Sequence, residues 1–390
     1  MSIDGHYWTA AGAVPDYAVK NWPPNYAGRG RPLDFGAYMV SAPPKGYIFQ
    51  RALAQGVSFY NYGEAFAGIG YILPDKDRTP SELATEHQVA NSSDVQLIGG
   101  GPAYPGGPSL APCYDSDASS FSPINQPNVD VYDSSLPAGA KPGSHSRYAC
   151  FLARFQQQLA HNDVPAINYF SLPLDHTQGV GPGDRTPKAD VADNDWALGQ
   201  IVDAISHSSI WGSSLILVVE DDAQDGADHI DAHRSPALVI SPYTERGAVV
   251  HDRYDQLSFL RTMEIIVGMK PSNLAEELAV PLYKAFTATP SNGAPYDAIA
   301  PNVDVTATNP NTTANRKASA GLNLTATDQV PEQQLDAILW HYVHGFSSAP
   351  PPPGPNASTA DTTTADGAAD QPLAHPLALA RLLREAWARR

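Results

Sequence analysis

Between about residue 46 and residue 268, short apolar runs alternate with longer stretches of helical periodicity. The runs Val57–Tyr62 (VSFYNY), Pro165–Leu172 (PAINYFSL), Leu215–Val219 and Ala237–Ser241 (ALVIS) read as strands. Helices are predicted over residues 9–20, ending before Pro23, over 46–55, closed by Gly56, and over 147–161, 188–208, 255–267 and 333–346. In the 188–208 stretch Leu198, Ile201, Val202 and Ile205 fall at i, i+3, i+4 and i+7, one apolar stripe on a 3.6-residue period. Leu260, Met263 and Val267 share a side of the 255–267 helix, and Leu335, Ile338, Leu339 and Tyr342 carry the packing of the last one. The strand runs are continuously apolar rather than alternating, as in strands buried on both faces of a mostly parallel sheet. The expected class is therefore α/β. In such sheets ligands lie beyond the carboxyl ends of the strands. Asp175 stands at one such end and the triplet Glu220-Asp221-Asp222 at another.

Three stretches break the alternation. Residues 99–146 are rich in Gly, Pro, Ser and Asp and read as a long surface excursion, and residues 287–331 read as irregular. Residues 347–372 are mostly Pro, Ala, Ser, Thr and Asp, the composition of a disordered linker. A short basic amphipathic helix over 373–390 (LALARLLREAWARR) follows, either a frayed tail or a docking helix. The organisation expected is one domain over 1–346, then linker and helix.

Composition narrows the partners. The 390 residues are 42% hydrophobic and only 17% charged, enough for a substantial core, and the formal net charge is −17. That balance argues against nucleic acid, whose phosphates are bound by an excess of Lys and Arg, and against an anionic membrane surface. An anionic substrate stays open, since bound cations invert the local charge. No run reaches the roughly 18 apolar residues of a membrane span, and MSIDGHYW has neither the basic start nor the apolar core of a signal peptide. Cys113 and Cys150 are the only cysteines, as a disulfide or as two thiols.

Adjacent ionised carboxylates repel, and they persist at a strand end mainly when cations neutralise them. His229 and His233 lie within thirteen residues of Asp221-Asp222, so the expected site holds a divalent metal. Mixed Asp/His ligands suit zinc, manganese or iron better than calcium. An EF-hand loop aligned on Gly226 fails at Ala223 and Ala232, which offer no side-chain oxygen. The HExxH pattern fails because Ile230, not Glu, follows His229. Asp225, Asp228 and Asp231 read as solvated loop acids.

The run EDDAQDGADHIDAHRSPALVISPYTERG (220–247) resembles the phosphoesterase family of phospholipase C and acid phosphatase type, within the alkaline phosphatase superfamily. It is similar to bacterial members fused behind a YncE-like β-propeller. Further matching stretches are LPLDHTQGVGPGDRTPKADVADNDWALGQIVDAISHS (172–208), LSFLRTMEIIVG (257–268), DGHYWTAAGAVPDYAVKNWPPNYAGRGRPLDF (4–35), NYGEAF (61–66) and ILWHYVHG (338–345). The resemblance implies an alkaline-phosphatase-like three-layer αβα sandwich with a mostly parallel central sheet. It implies phosphoester hydrolysis with two divalent ions about 4 Å apart and a serine or threonine nucleophile at the start of a helix. Carried onto this chain, the nucleophile falls on Ser2. The metal ligands fall on Asp175, Asp221, Asp222 and His233, with His176 or His229 standing in where Gly179 occupies the usual histidine position. His6 and Arg234 fall on substrate-binding positions. Zinc, manganese, iron or calcium are the metals in view, and the substrate would be a small phosphoester or a phospholipid head group. Relatives of this kind are typically exported.

The superfamily's first strand, with an early acidic metal ligand, would precede Ser2. The chain is accordingly expected to be a member whose front strand is missing. A second expectation follows from that: a catalytically inactive relative that binds a ligand or serves as a scaffold.

Overall fold

The computed structural model describes residues 2–24, 43, 45–62, 147–172, 177, 179–221, 235–322, 332–345 and 347–349. Helices α1 (Ser2–Ala11), α2 (Asp16–Pro24) and α3 (Ile48–Ala54) lead into β1 (Phe59–Tyr62). Then come α4 (Arg147–His161), β2 (Ile167–Phe170), α5 (Pro187–Ser206), β3 (Ile216–Val219) and β4 (Ala237–Ile240). The order closes with α6 (Gln256–Val267), α7 (Leu274–Leu278), α8 (Thr313–Ser319) and α9 (Glu332–His344). Residues 99–146 with Cys113, the Cys150 side chain and the tail from 350 onward lie outside the described residues. Among the described residues no helix is long and apolar enough to cross a membrane.

β1 and β2 pair in parallel, Phe59 opposite Ile167 through Tyr62 opposite Phe170. Helices cover both faces of this pair. On one face Tyr60 and Tyr62 join Phe151 and Phe155 of α4 and Ile201 of α5. On the other, Ile167 joins Tyr7, Ala10 and Ala11 of α1, Ile48 and Ala52 of α3, and Leu260 of α6. The first face is aromatic: Tyr62 and Phe170 stack at 4.5 Å, and the buried guanidinium of Arg154 lies 3.9 Å from the Tyr60 ring centroid, a desolvated cation–π contact.

The second strand pair departs from expectation. β3 and β4 run antiparallel, Ile216 opposite Ile240 and Val219 opposite Ala237, and Leu238 is 48% exposed. The described strands thus form two separate two-stranded sheets, one parallel and one antiparallel. A four-residue apolar run specifies burial but not the direction of its neighbour, so the mostly parallel reading could not assign the direction of β4. The helix expected over 9–20 is also two helices. Gly12 turns into the left-handed region at φ 67°, and α2 begins just after Pro15. Within the stretch read as irregular, α8 forms behind Thr312, whose side chain accepts from the Asn315 amide.

Local chemistry sets the other ends. Thr186 caps α5 by accepting from the Ala189 amide, with Pro187 in the first turn. Asp255 and Ser258 form a reciprocal capping box on α6, which Gly268 closes at φ 78°.

One buried polar cluster joins α3, α6 and α7. Arg51 Nη1 donates to Glu264 Oε1 at 2.9 Å and to Glu276 Oε2 at 2.8 Å. Arg261 Nη1 donates to Glu264 Oε2 at 3.3 Å, and both carboxyl groups are fully buried.

Leu260 sits where α1, α3, α6 and β2 meet. Leu260→Ala is expected to cost about 2–5 kcal/mol, read as a lower urea midpoint with an unchanged slope.

Candidate active site

Beyond Val219 the chain leaves β3 through Glu220 and Asp221, and short contacts fix it there. The Glu220 amide donates to the Pro236 carbonyl at 3.3 Å, and Ser235 Oγ donates to the Glu220 carbonyl at 3.4 Å. Gln256, at the first position of α6, donates through Nε2 to the Glu220 carbonyl at 3.3 Å and also to that of Asp221.

Helix α1 lies directly on this strand exit. A Cβ placed on Gly5 would fall 1.8 Å from the Asp221 carbonyl oxygen, so only glycine allows the approach. One residue on, His6 Nε2 stands 3.4 Å from Asp221 Oδ2, both side chains about one-quarter exposed. Ser2 opens the same helix, one turn before His6. Thr9 Oγ1 donates back to the Gly5 carbonyl at 3.0 Å and so satisfies itself within the helix.

At the other strand end, the Leu172 carbonyl accepts from Asn194 Nδ2 of α5 at 2.6 Å. Asp175 and His176 lie outside the described residues, as do Asp222, His229, His233 and Arg234. The segment that resumes after His176 is tightly held. Thr177 is buried at φ 63°, a left-handed conformation costly for a β-branched residue. Asn309 Nδ2 donates to the carbonyls of Gly179 and Arg185 at 3.2 and 2.9 Å. The Arg185 guanidinium reaches Asp190 Oδ1 and Asp193 Oδ2 of α5, each at 3.4 Å, and donates to the Ala189 carbonyl at 2.9 Å.

Of the residues singled out from sequence, the described structure therefore brings together His6 and Asp221, with the start of α1 beside them. The Asp221 carboxylate and the His6 ring nitrogen are hard and borderline donors of the kind that hold zinc, manganese or iron. Among the described residues no Lys or Arg side chain neutralises Asp221. That donor chemistry fits a divalent cation. Sequence reading did not find Gly5, Gln256, Thr177 or Arg185; a close approach and a strained turn leave no pattern in residue type.

A different Asp/His group lies elsewhere. Asp203, His207 and Asp297 place ligand atoms within 4.8 Å of one another. His207 Nδ1 is 3.2 Å from Asp203 Oδ1 and its Nε2 is 3.4 Å from Asp297 Oδ1. Asp203 Oδ2 accepts from the Ala298 amide at 2.7 Å. The group fastens residues 296–298 to the carboxyl end of α5, whereas Asn194 meets the end of β2 nearer the amino end. The Asp203/His207 spacing of four on a helix is the signal that could have found it.

Helices on both faces of a parallel strand pair, with acidic residues at a strand exit, define an α/β protein with a strand-end site. Residues 44–270 match the family model of the Phosphoesterase family, and the chain belongs to that family. Membership implies hydrolase activity on phosphoesters. The matched span contains Asp175, His176, Asp221, Asp222, His229, His233 and Arg234, while α1 with Ser2 and His6 precedes it. No curated protein matches the chain.

Two glycine substitutions separate the close contact from helix propensity. Gly5→Ala is expected to destabilise by about 1–3 kcal/mol, because α1 must back away from the Asp221 carbonyl. Gly199→Ala in α5, where the nearest neighbour is Ala298 Cβ at 3.9 Å, is expected to gain up to about 1 kcal/mol. Thermal melting of the two variants beside wild type checks both signs.

Proposed function

We propose that this chain hydrolyses phosphoesters at a divalent-metal centre set at the ends of β2 and β3 of a three-layer αβα sandwich, with Ser2 as the nucleophile. The observation that carries the reading is the seating of α1 on Asp221. It puts the amino-terminal end of a helix, whose backbone dipole favours an anionic phosphoryl group, beside a strand-end carboxylate suited to hold the cation.

Asp175, Asp221, Asp222 and His233, with His176 or His229, would hold two divalent ions. Such ions supply Lewis-acid stabilisation of the attacking and leaving oxygens. Ser2 Oγ attacks phosphorus and gives its proton to solvent. The bond from phosphorus to the leaving oxygen breaks, and the released alkoxide takes a proton. Water then splits the phosphoserine: its hydroxyl goes to phosphorus and its proton returns to Ser2 Oγ. The Arg234 guanidinium is suited to bidentate contact with phosphoryl oxygens. His6 faces Asp221 rather than open space, which favours a positioning role through that carboxylate over direct substrate contact. The substrate is a small phosphoester or a phospholipid head group; the cations answer the chain's negative charge locally.

The test is release of nitrophenol from nitrophenyl phosphate mono- and diesters, with and without chelator. Activity is expected to vanish on chelation and return with zinc, manganese, iron or calcium. His6→Ala is expected to lower it roughly 10–100-fold, the usual cost of losing a partner that orients a metal ligand, and Asp221→Asn to lower it further. Unchanged turnover in Asp221→Asn sinks the proposal. Ligand-induced stabilisation without turnover in the wild type would instead identify a binding protein.

A further inference from the structure

The Arg51 cluster is buried, charged and remote from the site, yet α1 ends on it. A Cβ on Gly12 would fall 1.9 Å from Glu276 Oε1, and Asn273 Nδ2 donates both to the Gly12 carbonyl at 3.1 Å and to Glu276 Oε1 at 3.2 Å. Glu276 accepts hydrogen bonds at both carboxyl oxygens. Its Oε2 also accepts from the Ser272 amide at 2.6 Å and from Arg51, and its Oε1 accepts from Ser272 Oγ at 2.9 Å. From cations Glu264 accepts a hydrogen bond from Arg51 and the longer one from Arg261, and its remaining carboxyl neighbour is Glu276. A single nitrogen of Arg51 serves both carboxyl groups, while its buried Nε and Nη2 have no hydrogen-bond partner. The cluster therefore under-compensates a second negative charge.

We infer that Glu264 and Glu276 form a proton-operated latch that fastens α1 to α6 and α7, and so sets the distance of its amino end from Asp221. The proton resides on Glu264, the poorly solvated partner, and Glu276 receives its hydrogen bond. The charged groups facing the pair are Arg51 from α3 and Arg261 from α6. From the α7 side the facing groups are the uncharged Ser272 and Asn273, and from α1 the Gly12 backbone. α1 is about 15 Å long and packs on Leu260 through Tyr7, Ala10 and Ala11, so a tilt at Gly12 moves Gly5 and His6 at the other end. Burial first, then the neighbouring Glu276, raises the Glu264 carboxyl to about 7. The docked state thus binds the proton more tightly than the undocked one. The latch is closed in acid, weakens as pH rises from the ordinary carboxylate range towards 7, and changes no further above that.

The experiment is amide hydrogen exchange of residues 2–11 in the full chain at pH 5, 6, 7 and 8, corrected for the intrinsic exchange rate. Protection of α1 in wild type is expected to fall with pH, by no more than about tenfold per unit up to pH 7, then level off. Glu264→Gln, which mimics the protonated group, is expected to remove that slope. A pH-independent α1 in wild type, or a Glu264→Gln protein with the wild-type slope, overturns the latch. Should Glu264→Gln fail to fold, the wild-type carboxyl titration by carbon NMR decides: a Glu264 carboxyl titrating in the ordinary range refutes the proposal. Neither readout involves phosphoester turnover, so the latch and the proposed chemistry stand or fall separately.

Discussion

Helix α1 touches the rest of the molecule through bare backbone at two places. Gly5 meets the carbonyl of Asp221, and Gly12 meets the carboxylate of Glu276. At Gly5 the contact is backbone against backbone with no side chain as a spacer, so it is set by van der Waals limits, whereas at Gly12 the partner is the Glu276 side chain. The strand exit at Asp221 and the buried carboxylate of Glu276 thus lie at the two ends of α1. Gln256 follows the Asp255 cap at once and holds the backbone of Asp221, so the start of α6 and the end of β3 form one unit.

The family match and the geometry bear on different parts of the chain. The match covers the strand-end acids and histidines over 44–270, while the helix beside Asp221 precedes it. Physical contact joins the two: His6 on one side, Asp221 on the other, with Gln256 of α6 holding the Asp221 backbone. Membership in the phosphoesterase family supplies the class of chemistry, and the contact of His6 with Asp221 joins the matched span to the helix before it.

Much of the fold was legible because periodicity reports burial. Ile201 and Val202 are buried on the stripe read from 188–208, and Leu335 and Ile338 on that read from 333–346. Strand direction was not legible, because ALVIS carries no mark of whether its neighbour runs with it or against it. The split of the first helix was written only in Gly12 and Pro15, and an apolar pattern read across them hides the break. At the strand exit, residue type drew attention to Asp221 because three adjacent acids after an apolar run demand an explanation. It said nothing of Gln256 or Gly5, whose roles are defined by which backbone atoms they approach. The buried pair Glu264 and Glu276 was illegible for a similar reason. Each looks like an ordinary helical glutamate until the fold brings Arg51 between them, more than two hundred residues away in sequence.

Thr177 carries a further meaning. It is held in a left-handed conformation directly after the Asp175-His176 pair, and Asn309, Arg185 and the carboxylates of α5 brace the segment around it. Such a residue is a loaded spring: the braces supply the energy that its backbone would release by relaxing to an extended form. Evolutionary or engineered change in Asn309 or Arg185 would therefore alter how the segment from Gly179 to Arg185 is held. Its supports are the carboxylates of α5 and the strand-like bridge of Arg185 with Thr308.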